Sequence, residues 1–322
     1  MMRRTTVLPV VIAVMFLLVF LGAGNAVAKK PLIISIGSGG TGGTYYPMMA
    51  AVAEVVTNDV KEVKNATAQV TAASFENVRL LQKGYIQFAI TNAASIYDGY
   101  RGNKPFKEKL DKLRTICWGH GSDLHIVSLK GSGIDTFEAI KGKRFSVGAP
   151  GSGAEVEMKR ILEIYGLTYK DFKVHFLSYS EAVNALKDGR IDVGVVNAGI
   201  PVASVMDLAI VKAINLITIP DAMMDKVIDK YPIYDKFVIP AGTYRGVDKD
   251  LKVLTSPATF SCSADLSDDL VYKVTKAVYK KMPWLIETIH QGFKRWEFRP
   301  DIKRLAPLHP GAEKFYKEMG KL

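Results

Sequence analysis

The groups best placed to do chemistry in this sequence are hydrogen-bond donors rather than acids or nucleophiles. The β-branched run Ile33-Ile34-Ser35-Ile36 leads into Gly37-Ser38-Gly39-Gly40-Thr41-Gly42-Gly43-Thr44. After Pro47, Met48, Val52, Val55 and Val56 recur at helical spacing. Strand, glycine-rich turn and helix is the arrangement that aims unpaired backbone N–H groups at an anion. Glycine lets the main chain come close to it. The same grammar returns at Phe145-Ser146-Val147-Gly148-Ala149-Pro150-Gly151-Ser152-Gly153, followed by a helical run to Tyr165. Hydroxyls at Thr44 and Ser152 add donors without adding charge. The alternative for either turn is a tight surface turn that holds nothing.

Other chemistries find little support. No Lys-Ser or Lys-Thr follows the first glycines, so the turn is not a P-loop. Gly37, Gly39 and Gly42 have dinucleotide spacing, but Asp59 and Glu62 do not end a second strand. No cofactor is expected. No His-Glu-x-x-His, Gly-x-Ser-x-Gly or Cys/His metal spacing occurs, so neither a metal site nor an enzyme is indicated. Glu155 and Glu157 fall on neighbouring rather than matching helix faces, which is a poor acid–base pair. His125, within an alternating strand, reads as a packed histidine ahead of a cleft-facing one.

The elements that must position the donors form two α/β units. In the first, strands at 63–71 and 86–90 join the opening strand, with a helix over 72–82 for which Ser74 is an N-cap candidate. Turns after parallel strands share one edge of a sheet. That makes Thr44, Ser74, Asn77, Thr91, Asn92 and Ser95 pocket candidates by topology, although each alone is commonly a cap or turn residue. The segment 113–129 reads as strand interrupted at Gly119-His120-Gly121-Ser122-Asp123. In the second unit, strands at 174–177 and 191–196 flank a helix, and Asn197-Ala198 begin the next turn. Two lobes with facing helix N-termini describe a clamshell around a small polar ligand, with strands near 125–130 and 237–250 crossing between them.

The ends and the charge bound the class. Arg3-Arg4, an apolar stretch over 8–21 and Ala26-Val27-Ala28 mark residues 1–28 as a secretory signal peptide. The protein is expected outside the cytoplasm, in the periplasm or its equivalent. The formal net charge of +11 includes Arg3 and Arg4, and the remaining basic residues are scattered. A nucleic-acid protein concentrates them in one patch, so no nucleic acid is expected. Cys117 and Cys262 permit one disulfide, but nothing local brings them together, which favours free thiols.

Four stretches together make the chain resemble the extracytoplasmic solute receptors of TRAP transporters, specifically the TAXI family. They are 36–47 with Tyr45-Tyr46-Pro47, 71–77 with Leu80, Gly148-Ala149-Pro150-Gly151-Ser152-Gly153, and Leu308-His309-Pro310-Gly311-Ala312-Glu313. His125 and Ile239-Pro240-Ala241-Gly242-Thr243-Tyr244 are also similar to family features. The resemblance implies a two-lobed type II periplasmic-binding-protein fold with hinge-crossing strands. Lobe one would be 29–125 and 245–322, and lobe two 126–244. It implies no catalysis, and a monomer that delivers a small carboxylate to a fused TRAP membrane permease driven by an ion gradient. The alternatives are a secreted sensing receptor or an enzyme on the same scaffold. The resemblance places Gly43, Thr44, Tyr45, Ser74 and Asn77 on one wall of the ligand site. Gly151, Ser152 and Gly153 form the other, with Asn197 and Ala198 at the rim; topology adds Asn92. The sequence departs from the family at Ala73, where a glycine is usual, and at Asn92 and Ala94, where Gln and Asp are common. Losing that carboxylate shifts the expected ligand from an amino acid toward a 2-oxoacid.

Overall fold

β-Branched runs become strands here, and most turns expected from glycine and asparagine end them. A computed structural model describes residues 31–322; the expected signal peptide lies outside the described residues. The first elements are β1 (Leu32–Gly37), α1 (Tyr45–Asp59), β2 (Val63–Gln69), α2 (Ser74–Gln82), β3 (Phe88–Asn92) and α3 (Ala93–Arg101). A long strand β4 (Leu113–Leu129) leads to β5 (Arg144–Ser146), α4 (Gly153–Ile164), β6 (Lys173–His175), α5 (Tyr179–Lys187) and β7 (Val193–Ala198). Then come α6 (Ala203–Val211), β8 (Ile214–Ile217), α7 (Asp221–Lys230) and β9 (Asp235–Ile239). A second long strand β10 (Leu251–Ser263) precedes α8 (Asp268–Trp284) and α9 (Pro310–Glu318).

The strands form one sheet in the order β2-β1-β3-β10-β4-β7-β5-β6, with β8 on β4 and β9 on β10. β1 runs parallel to β3, and β5 parallel to β6 and β7, as crossover helices require. β4 and β10 are antiparallel to each other and join the two parallel groups. With 17 residues, β4 spans roughly 55 Å, enough to pass through both halves of the molecule.

The apolar side chains separate in the same way. Ile36, Val52, Phe88, Phe260 and Phe315 belong to one core, and Phe75, Leu113, Trp118 and Ile302 to its neighbour. Leu124, Phe145, Met158 and Leu254 belong to a third, and Val127, Leu186, Val205 and Val253 to a fourth. The change falls between Trp118 and Leu124 on β4, and between Leu254 and Ala258 on β10. Val156 of α4 reaches back into the second core.

Two expectations need correction. The stretch 119–123 does not interrupt β4. A Cβ on Gly119 would lie 3.0 Å from Ala258 Cβ, and one on Gly121 only 2.0 Å from Arg295 Nη2. These glycines serve close approach within a strand, not a turn. Residues 237–250 do not make the second crossing. They hold the end of β9 and a turn, and β10 carries the chain back. At this crossing Asp123, fully buried, accepts from Thr255 Oγ1 at 2.7 Å and pairs with Arg295 at 2.7 Å, and the guanidinium sits over Phe237. Cys117 and Cys262 are buried free thiols on β4 and β10, and burial pushes both thiols up.

Candidate functional site

The carboxyl ends of β1, β3, β5 and β7 and the starts of α1, α2, α4 and α5 converge on a cavity of about 60 Å³. That is room for a small ligand in a closed site. Thr44 and Tyr45 come from the start of α1. Ala73 and Ser74 come from the start of α2, and Asn92 from the end of β3. Ser122 projects from β4. Ser152 and Gly153 face them from the start of α4, joined by Tyr179, Asn197 and Ala198.

Backbone geometry explains how the two halves meet so closely. A Cβ on Gly153 would lie 2.5 Å from Asn92 Nδ2, and one on Gly43 would lie 3.2 Å from the Tyr179 ring. Gly42 O accepts from Ser204 N at 3.4 Å, and Thr44 Oγ1 accepts from Gly199 N at 3.2 Å. Beside the cavity, a larger cleft of about 910 Å³ opens between α2, α3, α4 and α7, with Arg79, Lys159, Arg160 and Lys230 on its walls. There Arg160 pairs with Asp98 of α3, donates to Tyr234 Oη at 3.2 Å and lies over the Tyr231 ring.

The cavity wall is uncharged and mostly apolar, with a few hydroxyl and amide groups set into it. None of its described lining residues carries a formal charge. Ser152 caps α4, its Oγ accepting from Glu155 N at 3.1 Å, so its proton is free for a ligand. Tyr45 Oη and Ser122 Oγ are 2.9 Å apart. Burial pushes the Tyr45 hydroxyl up to about 12 against the hydrogen bonds of Ser122 and Ser74, so it stays protonated. Thr44 Oγ1 lies 2.9 Å from His120 Nε2. The same oxygen accepts from Gly199 N, and with one proton and a second lone pair it can bond either tautomer of the ring. His120 is pushed down to about 3 by burial, with the charge of Arg295 adding to it, so the ring is neutral. Tyr179 Oη donates to Asn197 O at 2.7 Å. Asn197 Nδ2 donates to Glu157 Oε2 at 2.8 Å. Glu157 has no exposed surface, and burial pushes its carboxyl up to about 8 against the pull of Asn197 and Arg160.

Of the residues expected from sequence, Gly43, Thr44, Tyr45, Ser74, Asn92, Ser152, Gly153, Asn197 and Ala198 line the cavity. Asn77 and Gly151 do not. Asn77 is buried behind the wall, where Nδ2 donates to Ser38 O at 2.7 Å and Ile90 O at 2.9 Å and so ties down the first glycine turn. Gly151 faces the neighbouring cleft. Thr91 bonds Thr259 and Ser95 bonds Asn92 O; both are buried away from the cavity. Ser74 is not an N-cap: Ala73 holds that position at φ 71, and Ser74 Oγ accepts from Asn92 N at 3.0 Å. Sequence reasoning missed Ser122, Ser178 and Tyr179. Ser178 follows a strand and opens a helix, so the edge rule that found Ser74 reaches it as well. Among the described residues, no group of three or more His, Cys, Asp or Glu is set to hold a metal ion.

A family profile described as the NMT1-like family matches residues 36–320. The chain belongs to the NMT1-like family. Solved structures give this NMT1-like chain its fold. The alkanesulfonate-binding protein SsuA from Xanthomonas axonopodis pv. citri, bound to MOPS, is 17% identical at a TM-score of 0.52, covering 90% of this chain and 85% of that one. PhnD1 from Prochlorococcus marinus (MIT 9301), in complex with methylphosphonate, is 12% identical at a TM-score of 0.51, covering 91% and 100%. The effector-binding domain of a BenM variant is 9% identical at a TM-score of 0.50, covering 84% and 99%. The fold is the two-lobed periplasmic-binding-protein fold, and its strands β4 and β10 cross between the halves.

Proposed function

We propose that this chain is an extracytoplasmic solute-binding receptor of a transporter, and within that class a TAXI-type receptor of a TRAP system. It captures a small carboxylate, a 2-oxoacid or a glutamate-like acid, without turning it over. It delivers the acid as a monomer to a fused membrane permease driven by an ion gradient. Residues 1–28 direct export and are removed. Lobe one comprises 29–125 and 245–322, and lobe two 126–244, with 245–254 packing on lobe two's core. The observation that carries the reading is the cavity: small, lined from both halves, uncharged, and edged by hydroxyls at the starts of α1 and α4. Helix N-termini and hydroxyls of this kind suit an oxygen-rich anion and need no arginine clamp. No lining residue is a carboxylate that could receive an ammonium group, which puts a 2-oxoacid ahead of glutamate; Ala94 itself is buried in the apolar core and does not line the cavity.

Calorimetry with carboxylates, amino acids, sulfonates, phosphonates, sugars and polyamines tests it. The alkanesulfonate and methylphosphonate of the similar structures make those two classes the direct rivals. Saturable binding of a chemically unchanged carboxylate is expected. Ser152→Ala should then weaken it by about five- to a hundredfold, since one donor to a charged group is worth about 1–3 kcal/mol. Tight binding of a sulfonate, sugar or polyamine with no response to carboxylates overturns the ligand. N-terminal sequencing of exported protein should begin at Lys29.

A further inference from the structure

Most side-chain donors on the cavity wall already have partners inside the protein. Tyr179 Oη donates to Asn197 O at 2.7 Å, and Ser178 Oγ donates to Glu181 Oε2 at 2.7 Å. Thr71 Oγ1 donates to Asn77 Oδ1 at 2.7 Å, and Thr44 Oγ1 has both His120 and Gly199. Asn197 Nδ2 is bonded to Glu157. Three lining side chains keep a donor free. Ser74 Oγ accepts from Asn92 N and Ser152 Oγ accepts from Glu155 N, so each retains its proton. Asn92 accepts from Ser95 N through Oδ1, and its Nδ2 has no partner among the described residues.

These free donors stand together. The point that a Cβ would occupy on Gly153, next to Ser152, is 2.5 Å from Asn92 Nδ2 and 3.2 Å from Ser74 Oγ. Gly153 also begins α4, so backbone N–H groups of the helix start join them. Apart from the groups already engaged and the mutually bonded Tyr45 and Ser122 hydroxyls, the remaining lining is glycine, alanine and tyrosine ring. No lining residue is a cation; Arg79 and Arg160 stand on the walls of the neighbouring cleft instead.

We propose that the receptor takes a short-chain monocarboxylate and rejects dicarboxylates: Ser74, Asn92 and Ser152 hold the single acid group, and the alanine- and tyrosine-lined remainder holds an aliphatic tail. A second carboxylate at the far end of the ligand would lose its water and meet neither a cation nor a free side-chain donor, which is costly in apolar surroundings. A methyl group in that place gains by leaving water. A cavity of about 60 Å³ admits only a few water-sized groups, so the tail is short. This rests on the carboxylate reading and narrows it, away from glutamate-like acids.

Calorimetry of the full mature chain with 2-oxopentanoate against 2-oxoglutarate reads the choice directly, because the two differ only in a terminal methyl or carboxylate. L-2-aminopentanoate against L-glutamate repeats the comparison for amino acids. In the pair that binds, the monocarboxylate should bind at least about tenfold tighter. From pyruvate through 2-oxobutyrate to 2-oxopentanoate, affinity should rise about fourfold per added CH₂. Ser74→Ala and Ser152→Ala should weaken all three by the same factor, since all present the same acid end to the donors. Equal or tighter binding of the dicarboxylate would mean that backbone N–H groups of the first glycine turn hold a second acid group. That result, or affinity that falls with chain length, overturns the proposal and leaves the carboxylate reading standing. If no acid of either kind binds, the carboxylate reading fails and the proposal fails with it.

Discussion

Two buried side chains give this protein opposite pH dependences of stability. His120 stays neutral in the fold down to about 3 but protonates near 6.5 when unfolded. The unfolded chain therefore binds the extra proton between those values, and stability rises with pH up to about 6.5. Glu157 is raised to about 8 from an ordinary 4.5, so the folded chain holds the extra proton between them. Its contribution falls as pH rises and levels off above about 8. The two slopes oppose each other from 4.5 to 6.5, and Glu157 alone acts above that. Thermal melts should show stability falling from about pH 6.5 to about pH 8, by about 2 kcal/mol at the ordinary 1.4 kcal/mol per pH unit. Glu157→Gln should flatten this limb. A melting temperature that climbs over the same interval in the unsubstituted protein contradicts the assignment.

At the scale of elements, the entry into α2 carries strain that sequence comparison alone expresses as an oddity. Ala73 has φ 71, the one non-glycine positive φ among the described residues. With ψ −139 this is a sparsely populated, glycine-favouring region that costs an L-residue about 1–3 kcal/mol, which is why glycine suits the position. Ala73→Gly should raise stability by about 1 kcal/mol in urea unfolding, with an unchanged m-value; a loss would show that Ala73 packing against the cavity outweighs the strain. The strand–turn–helix units were readable because their signals are local: β-branched runs, glycine turns and hydroxyl caps. Those rules bring Thr44, Ser74 and Asn92 to one edge and Ser152 to a second glycine turn, while Asn197 comes from the family resemblance. They do not say which way a side chain points, so Asn77 and Asn92 looked equivalent. The crossing strands were misread because Gly119 and Gly121 look like turn residues. Their cause, the approach of Ala258 and Arg295, lies more than a hundred residues away. Sequence reads Glu157 only as a poor acid–base partner of Glu155, because its burial depends on β7 and Asn197.

For the whole molecule, the contact between halves at Gly153 decides how far they close. Gly153→Ala places a methyl group against Asn92 and Ser74, while alanine at a helix's first position is otherwise harmless. We expect at least a tenfold loss of ligand affinity with little change in melting temperature, and a larger radius of gyration in solution scattering. An unchanged radius and affinity would show that the loop gives way instead. The order in which the halves are made has a further consequence. The second half is contiguous in the chain, whereas the first waits for β10, which sits between β3 and β4 at the centre of the sheet, and for α8 and α9. During synthesis, β1, β2 and β3 emerge long before the strand and helices that cover their apolar faces. The half begun first is thus completed last, so the amino-terminal strands gain their native cover only when the carboxyl-terminal helices arrive.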